Sequence, residues 1–543
     1  MDVEWFKKKM HIFTYKMLIV CVVYGIILTN SIYNRIDGVW NGTYRLEGDW
    51  ELSIGRGAIR YLDWLHYGVS VHPTTDIITL AFFVLGTFFL VSILEIREGS
   101  VWDYLVSMLF LTNVIVSTSL SYLFTSMIYG ISFMLSMMAV WFIKRATDGY
   151  ESMNNRKLFP NKYSLFYLIG AGTAVVLMLN LYQAYLGCIG ITAIFYFLLV
   201  LYRKEYKRIL PLFIYGIMVL GGGAIAYKIV LKVERARYAV GIADYNGANS
   251  VSVNTITSNI GATVVRTYSE FWKYAIIDGG HLWNRLPGAF LGVILCVLAV
   301  SSLVLEIFKN RKVVDAIAFT VFLLLSPMMV NIVMIIVPGS AFEIQQTAPN
   351  AMVMPLLVGF LFKEFQDYFS DNGNGAANVG GKVQRIWKKK IPGAVLGVLT
   401  AVLIWGSCWQ SIIDQEAMRQ GAVALKSMEQ EKVTEMQRKG LLGSDRSYAF
   451  IGVPIGNPLC YVNSIYYDSN DYARVAGNYW DSYITSWTWR GNMTNYMGIN
   501  IPMCDDDTYV NLMNDERVMQ MPIFPEEGSI AEIDGVVVVH VSE

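Results

Sequence analysis

The segment Arg45–Arg60, RLEGDWELSIGRGAIR, gathers three carboxylates, Glu47, Asp49 and Glu51, beside glycines that free the backbone and the guanidinium of Arg56. An acid beside an apolar membrane surface is desolvated, which favours its neutral form, while a nearby arginine keeps it ionised as an acceptor. A carboxylate held in this way next to a sugar hydroxyl acts as a general base. When the group displaced is a phosphate, it leaves as an anion and needs no strong acid. One carboxylate plus cationic groups for the phosphate then form a sufficient set, with arginine supplying fork-shaped recognition. Asp49, flanked by Gly48 and Trp50, is the first candidate for the base, Glu47 the second and Glu51 the third. Trp50, Trp40 and Trp64 suit stacking on a sugar or, more commonly, a place at the membrane interface. The plain alternative for the cluster is a solvated acidic loop. Asp37, Asp63, His66 and His72 read as surface residues without a role. The three acids are also oxygen ligands of the kind a divalent cation uses, although no second ligand group accompanies them.

Further along, Lys232, Glu234, Arg235 and Arg237 precede Tyr238 where an apolar block ends. Such a cluster suits a lipid phosphate, and equally an anchor among headgroups. Tyr182 and Gln183, with Asn180, close another apolar block, where polar groups are costly unless paired or lining a cavity. Glu343, Gln345 and Gln346 form a third polar group of the same kind. Asp371–Gly381, DNGNGAANVGG, has glycine spacing but neither a preceding strand nor a following Gly-Lys-Ser/Thr, so it reads as a flexible linker.

The elements that must position these groups are apolar. Of 543 residues, 54% are hydrophobic and 16% charged, too few charges for an ordinary soluble domain. The net charge of zero excludes a global basic field for nucleic acid. Apolar blocks near 12–32, 76–95, 104–123, 126–144, 164–182, 185–202, 209–230, 287–308, 313–337, 349–363 and 392–411 predict about eleven membrane spans, each close to the roughly 20 residues that cross a bilayer. The first reads as an uncleaved helix, because no small-x-small site follows it. Lysine and arginine fall on alternate loops, at Lys7–Lys9, Lys144/Arg145, Arg203/Lys204, Lys309–Lys312 and Lys382–Lys390. The positive-inside rule then sets the N-terminus in the cytoplasm and the C-terminus outside. Segments 33–75, 231–286 and 412–543 accordingly face outward. Residues 1–411 form a transmembrane domain, and 412–543 a small extracytoplasmic α/β domain. That second part has a helix over 412–440 and strand-like runs at Tyr448–Val453 and Ile533–Val541. Cys21, Cys188, Cys296 and Cys408 lie in apolar blocks, whereas Cys460 and Cys504 share the outer part, where a disulfide and two free thiols are equally compatible with the sequence.

With these residues in view, the chain resembles the glucosyltransferase II family, polytopic enzymes related to serotype-converting O-antigen glucosyltransferases. Similar motifs are Gly48-Asp49-Trp50 followed by Gly55-Arg56, Leu120-Ser121-Tyr122-Leu123-Phe124 and Leu181-Tyr182-Gln183-Ala184. The tail, Met521-Pro522-Ile523-Phe524-Pro525, then Gly528-Ser529-Ile530 and Asp534-Gly535-Val536-Val537-Val538, is similar too. The resemblance implies a GT-C-like membrane fold, a polyprenyl-phosphate sugar donor and transfer on the outer side to a cell-envelope glycan. It also implies an acid of the first loop at the active site, here Asp49 with Glu47 beside it. Arg56, Trp50, Glu51, Arg235, Arg237, Tyr182 and Gln183 are the candidates for contacting substrate. Family loops often carry paired adjacent acids, whereas Gly48 separates Glu47 from Asp49, which leaves the choice of base open. A flippase for lipid-linked sugars is the rival reading, and a glycan-binding scaffold the third. Against the flippase, most acids lie in loops and no internal repeat is evident.

Overall fold

The computed structural model describes the chain outside residues 1–2, 31, 34–36, 47, 153–160, 244–252, 273–293, 296, 299–300, 302–312, 338–347, 372–378, 454–456, 458, 460–485 and 543. Among the described residues, seven helices are long and apolar enough to cross a membrane, or eight if a bent pair counts as one span. They are α6 (Thr74–Ile93), α9 (Ser126–Ser152), α10 (Lys162–Leu181), α11 (Leu186–Tyr202), α12 (Tyr206–Tyr238), α14 (Val313–Val330) and α18 (Val379–Arg438), with α7 (Val101–Leu111) and α8 (Val114–Ser121) as the pair. These coincide with eight of the eleven expected blocks. Block 287–308 falls largely outside the described residues. The other two are each split between two helices: α1 (Val3–Val23) and α2 (Gly25–Thr29) interrupted at Tyr24, and α16 (Ala348–Ala351) followed by α17 (Val353–Asp371). The block at 313–337 likewise continues past α14 as the short α15 (Ile332–Ile336), while α13 (Val253–Trp272) lies in the segment expected as the outer loop 231–286 and α19 (Ser486–Gly491) in the C-terminal part.

The helices pack around one large apolar core. Helix α6 lies along α9, and α9 along α10. At the α6–α9 contact Gly130 faces the Thr79 carbonyl and Gly86 faces the Phe133 ring, so small residues let the backbones approach. One charged pair lies inside this core. Lys16 donates to Asp103 Oδ1 at 2.6 Å and to Ser107 Oγ at 2.9 Å, with Lys16 and Asp103 fully buried. The breaks between α1 and α2 and between α7 and α8 lie together, and side chains take up the freed backbone. The Tyr24 hydroxyl donates to the Leu111 carbonyl, Ser411 Oγ to the Thr112 carbonyl, and Gln415 Nε2 to the Val23 carbonyl. In hydrocarbon a broken helix persists only when its backbone groups are satisfied in this way.

Helix α18 passes unbroken through position 411/412, so the last apolar block and the helix expected over 412–440 are one element. Its Met418 belongs to the large core, while Leu425, Met428 and Met436 belong to a second. That second core lies on a three-stranded sheet ordered β1 (Ser447–Ile451), β3 (Val536–His540), β2 (Ile530–Ile533). The pair β1–β3 is parallel, with Tyr448 opposite Val537, and β2–β3 is antiparallel, with Ile530 opposite Val539. The run expected as one strand at 533–541 is therefore the second arm of a hairpin. Its turn is Asp534-Gly535, both at positive φ, the two-residue turn that such a pair favours. Val537 and Val539 face α18, whereas Val536 and Val538 face Leu512 of α20 (Asp506–Met513) and Val518 of α21 (Glu516–Met519). A strand covered on both faces reads as an uninterrupted valine run.

Candidate active site

The expected loop 33–75 contains three short helices. It carries α3 (Asp37–Asn41), α4 (Asp49–Ser53) and α5 (Ala58–Leu65), and Tyr44 pairs with Val69 in an antiparallel bridge. Glu51 starts α4 by accepting from the Gly48 N–H at 2.8 Å, the back-reaching half of a capping box. Its other oxygen accepts from Arg45 Nη2 at 2.8 Å, and the Glu51 side chain is 9% exposed. Glu51 is thus occupied in holding the segment.

Asp49 sits at the first helical position of α4 with its side chain 78% exposed, and accepts from Arg60 Nη2 at 2.8 Å. The Arg60 guanidinium lies 4.0 Å from the centre of the Tyr238 ring at the end of α12. The Arg56 guanidinium lies 4.6 Å from the Tyr182 ring, which meets Tyr129 edge-on. Two arginines are therefore held by aromatic faces on the same small segment as an exposed carboxylate, an arrangement that cation–π attraction stabilises. Trp50 is half exposed beside them.

The turn that follows α10, Gln183–Tyr185, and helix α12 hold this segment through its backbone. Gln183 Nε2 and the Tyr227 hydroxyl both donate to the Gly55 carbonyl, each at 2.9 Å. Arg235 donates from Nε to the Leu52 carbonyl at 3.1 Å and from Nη2 to that of Ser53, which ties α12 to the end of α4. Gly55 has φ +90°, and a side chain there would run into the Tyr227 hydroxyl. The structure thus brings Asp49, Arg56, Trp50, Glu51, Tyr182, Gln183 and Arg235 together. Gln183 and Arg235 grip the segment's own backbone. Arg237 is exposed on α12, 5.4 Å from the Tyr238 ring. Glu47, the Trp40 and Asp37 side chains, Glu343, Gln345, Gln346 and Cys460 lie outside the described residues.

Three groups emerge that sequence reading passed over. Glu234, counted there only within a basic cluster, has a buried Oε2 without a hydrogen-bond partner, against Gly57 at the start of α5. Nothing local marks a contact between residues so far apart in sequence. His72, read as a surface residue, has its ring largely buried: Nδ1 meets Asp76 Oδ2 at 2.5 Å and Nε2 meets the Ile32 carbonyl at 2.8 Å. His72 precedes α6, so helical spacing does not explain its contact with Asp76, and nothing local in the sequence marked that pair. Asp63 likewise is buried, with His66 Nε2 at 3.2 Å from its Oδ1. Among the described residues, no group of three or more His, Cys, Asp or Glu side chains is arranged to hold a metal.

A family model described as Glucosyl transferase GtrII matches residues 25–361, a stretch that contains α3 to α5 and both elements that grip them, the Gln183–Tyr185 turn and the end of α12. No curated protein and no solved structure matches the chain.

Proposed function

The chain belongs to this glucosyl transferase family, and on that footing we propose that it moves a hexose, glucose first among the candidates, from a polyprenyl-phosphate donor to a cell-envelope glycan. Transfer takes place on the outer side of the membrane, where the 33–75 segment and the C-terminal domain emerge. The observation that supports this best is the exposed Asp49 carboxylate paired with Arg60, on the segment where Arg56 is held against Tyr182. Asp49 accepts the proton of an acceptor hydroxyl as that oxygen bonds to the anomeric carbon. The bond from that carbon to the phosphate oxygen breaks, and the phosphate leaves as an anion. Arg56 and Arg60 are the groups for that anion, and Trp50 is the face for the sugar. Glu47 is the second candidate for the base, and Glu234 supplies a further carboxylate behind the segment.

The test is transfer by purified protein in liposomes, with polyprenyl-phosphate hexoses and cell-envelope extract, comparing wild type with Asp49→Asn and Glu47→Gln. The expected result is transfer by wild type that falls by about 10²–10⁴-fold in the variant lacking the base. Movement of lipid-linked sugar across the bilayer without transfer from any donor would establish the flippase instead.

A further inference from the structure

We propose that Tyr496 and Asn495 of the C-terminal domain are positioning residues for the transfer reaction, acting through the segment that carries Asp49; this rests on the reading of that segment as catalytic. Two features place the beginning of the segment in the C-terminal domain rather than in the membrane core. Tyr33 and Val39 belong to the same apolar core as Leu425, Met428, Tyr448 and Trp489. The Tyr33 ring stacks on that of Tyr496, with centroids 3.6 Å apart and planes 12° from parallel.

Hydrogen bonds then fix the backbone of α3. The Tyr496 hydroxyl donates to the Gly38 carbonyl at 2.6 Å, Asn495 Nδ2 donates to the Val39 carbonyl at 3.1 Å, and the Tyr33 hydroxyl donates to Asn492 Oδ1 at 3.0 Å. Asn495 also closes over Gly42, where an added Cβ would come within 2.6 Å of Asn495 Cγ. From Gly42 the constraint passes along a continuous set of contacts. Ser70 N–H donates to the Thr43 carbonyl and Arg45 N–H to the Gly68 carbonyl, both at 2.9 Å. The Arg45 side chain holds Glu51, which caps the helix carrying Asp49. Positioning of this kind matters because a displacement of about 1 Å at a reacting group can cost about 10²-fold in rate. The matched family region ends at residue 361, so the residues that provide the grip lie beyond it.

The experiment compares wild type, Tyr496→Phe and Tyr496→Ala by two independent measurements. Amide hydrogen exchange of residues 37–46 is followed by mass spectrometry, with β1 and β3 peptides reporting whether the domain stays folded, and kcat and KM are measured for sugar transfer. Phe keeps the ring stack and loses the bond to Gly38, whereas Ala loses both. The expected result is exchange over 37–46 that quickens from wild type to Phe to Ala while the strands stay protected. In parallel, kcat should fall by about fivefold for Phe and further for Ala, with KM within about twofold of wild type. Unchanged exchange over 37–46 would overturn the grip whatever the activity, and quickened exchange with unchanged kcat would overturn its part in the reaction. A wild-type protein that transfers no sugar sinks the transferase reading and the positioning role with it; the exchange data then still decide whether the grip exists.

Discussion

Asp49 and Cys504 show how far a single side chain is set by what surrounds it. Asp49 stays in water, and its one described side-chain partner is Arg60 on the next helix. An exposed pair of this kind adds little to stability, so its worth lies in where it holds the carboxylate. The Cys504 thiol is free and half buried beside the start of α20. Burial, and then the Asp505 and Asp506 carboxylates, push it up to about 11. Because the thiolate is the reactive form, Cys504 should resist alkylation by iodoacetamide at pH 7.5 and react only well above pH 9. Peptide mass spectrometry across a pH series checks this; fast labelling at pH 7.5 would contradict it.

Short elements pinned between long ones decide the site's shape. Gly57 immediately precedes α5 with a φ of −61° that any residue accepts, yet an added methyl would strike the Glu234 carboxylate. The carboxylate end of a flexible side chain moves easily, so Gly57→Ala should shift the melting temperature by only about 2 °C while displacing Glu234. If Glu234 takes part in transfer, Gly57→Ala and Glu234→Gln should reduce kcat by similar factors; full activity in both would assign Glu234 to packing. A second junction lies beyond α6. Glu95 there meets Lys144 Nζ at 2.9 Å and the Arg203 guanidinium. Burial alone would raise the Glu95 carboxyl, but Lys144 and Arg203 outweigh it and hold it down at about 2, against an ordinary value of 4.5. A carboxylate whose folded value is depressed stabilises the fold above its unfolded value, and that contribution disappears as pH falls. Wild-type melting temperature should therefore drop between pH 4.5 and pH 2, and the drop should be smaller in Glu95→Gln, which melts lower at neutral pH. Equal pH slopes for the two proteins would show that the contact contributes no linkage.

Across the whole molecule, α18 joins the two cores, and a buried ion pair sits where it meets the sheet. Glu429 Oε1 and Lys432 Nζ are 3.2 Å apart with both side chains fully buried, and the ammonium lies 3.8 Å from the Trp489 ring and 4.4 Å from that of Phe450. Removing one member leaves an unpaired charge at a cost of about 3–5 kcal/mol, whereas replacing both with apolar residues of similar size is often neutral or stabilising. Lys432→Met should thus destabilise strongly, and Glu429→Leu with Lys432→Met should recover most of the loss in detergent unfolding. Additive losses would show that each residue is held by other partners instead. Because α18 and the first segment share this core, the damage in Lys432→Met should reach residues 37–46 as well.

The sequence by itself determined the apolar helical class, eight of the apolar blocks that form long helices or the bent pair, and the strands β1 and β3, and it singled out the segment holding Asp49 and Arg56. Each rests on composition or on local period: roughly 20-residue apolar blocks, a valine run and an acid–arginine cluster. It also carried enough local pattern for the family to be named. Tertiary structure alone decided what those residues touch. Glu51, as well as any base by type, is committed to capping α4, and Arg235 and Gln183 serve the segment's backbone. Asp534-Gly535 turned one expected strand into a hairpin, because the sign of φ at two residues reverses the chain. The break at Tyr24 and the union of a span with the 412–440 helix followed from partners hundreds of residues away. Such contacts leave no period in the sequence, since hydrogen bonds between Gln415 and Val23, or Tyr496 and Gly38, depend on where the folded backbone places each group.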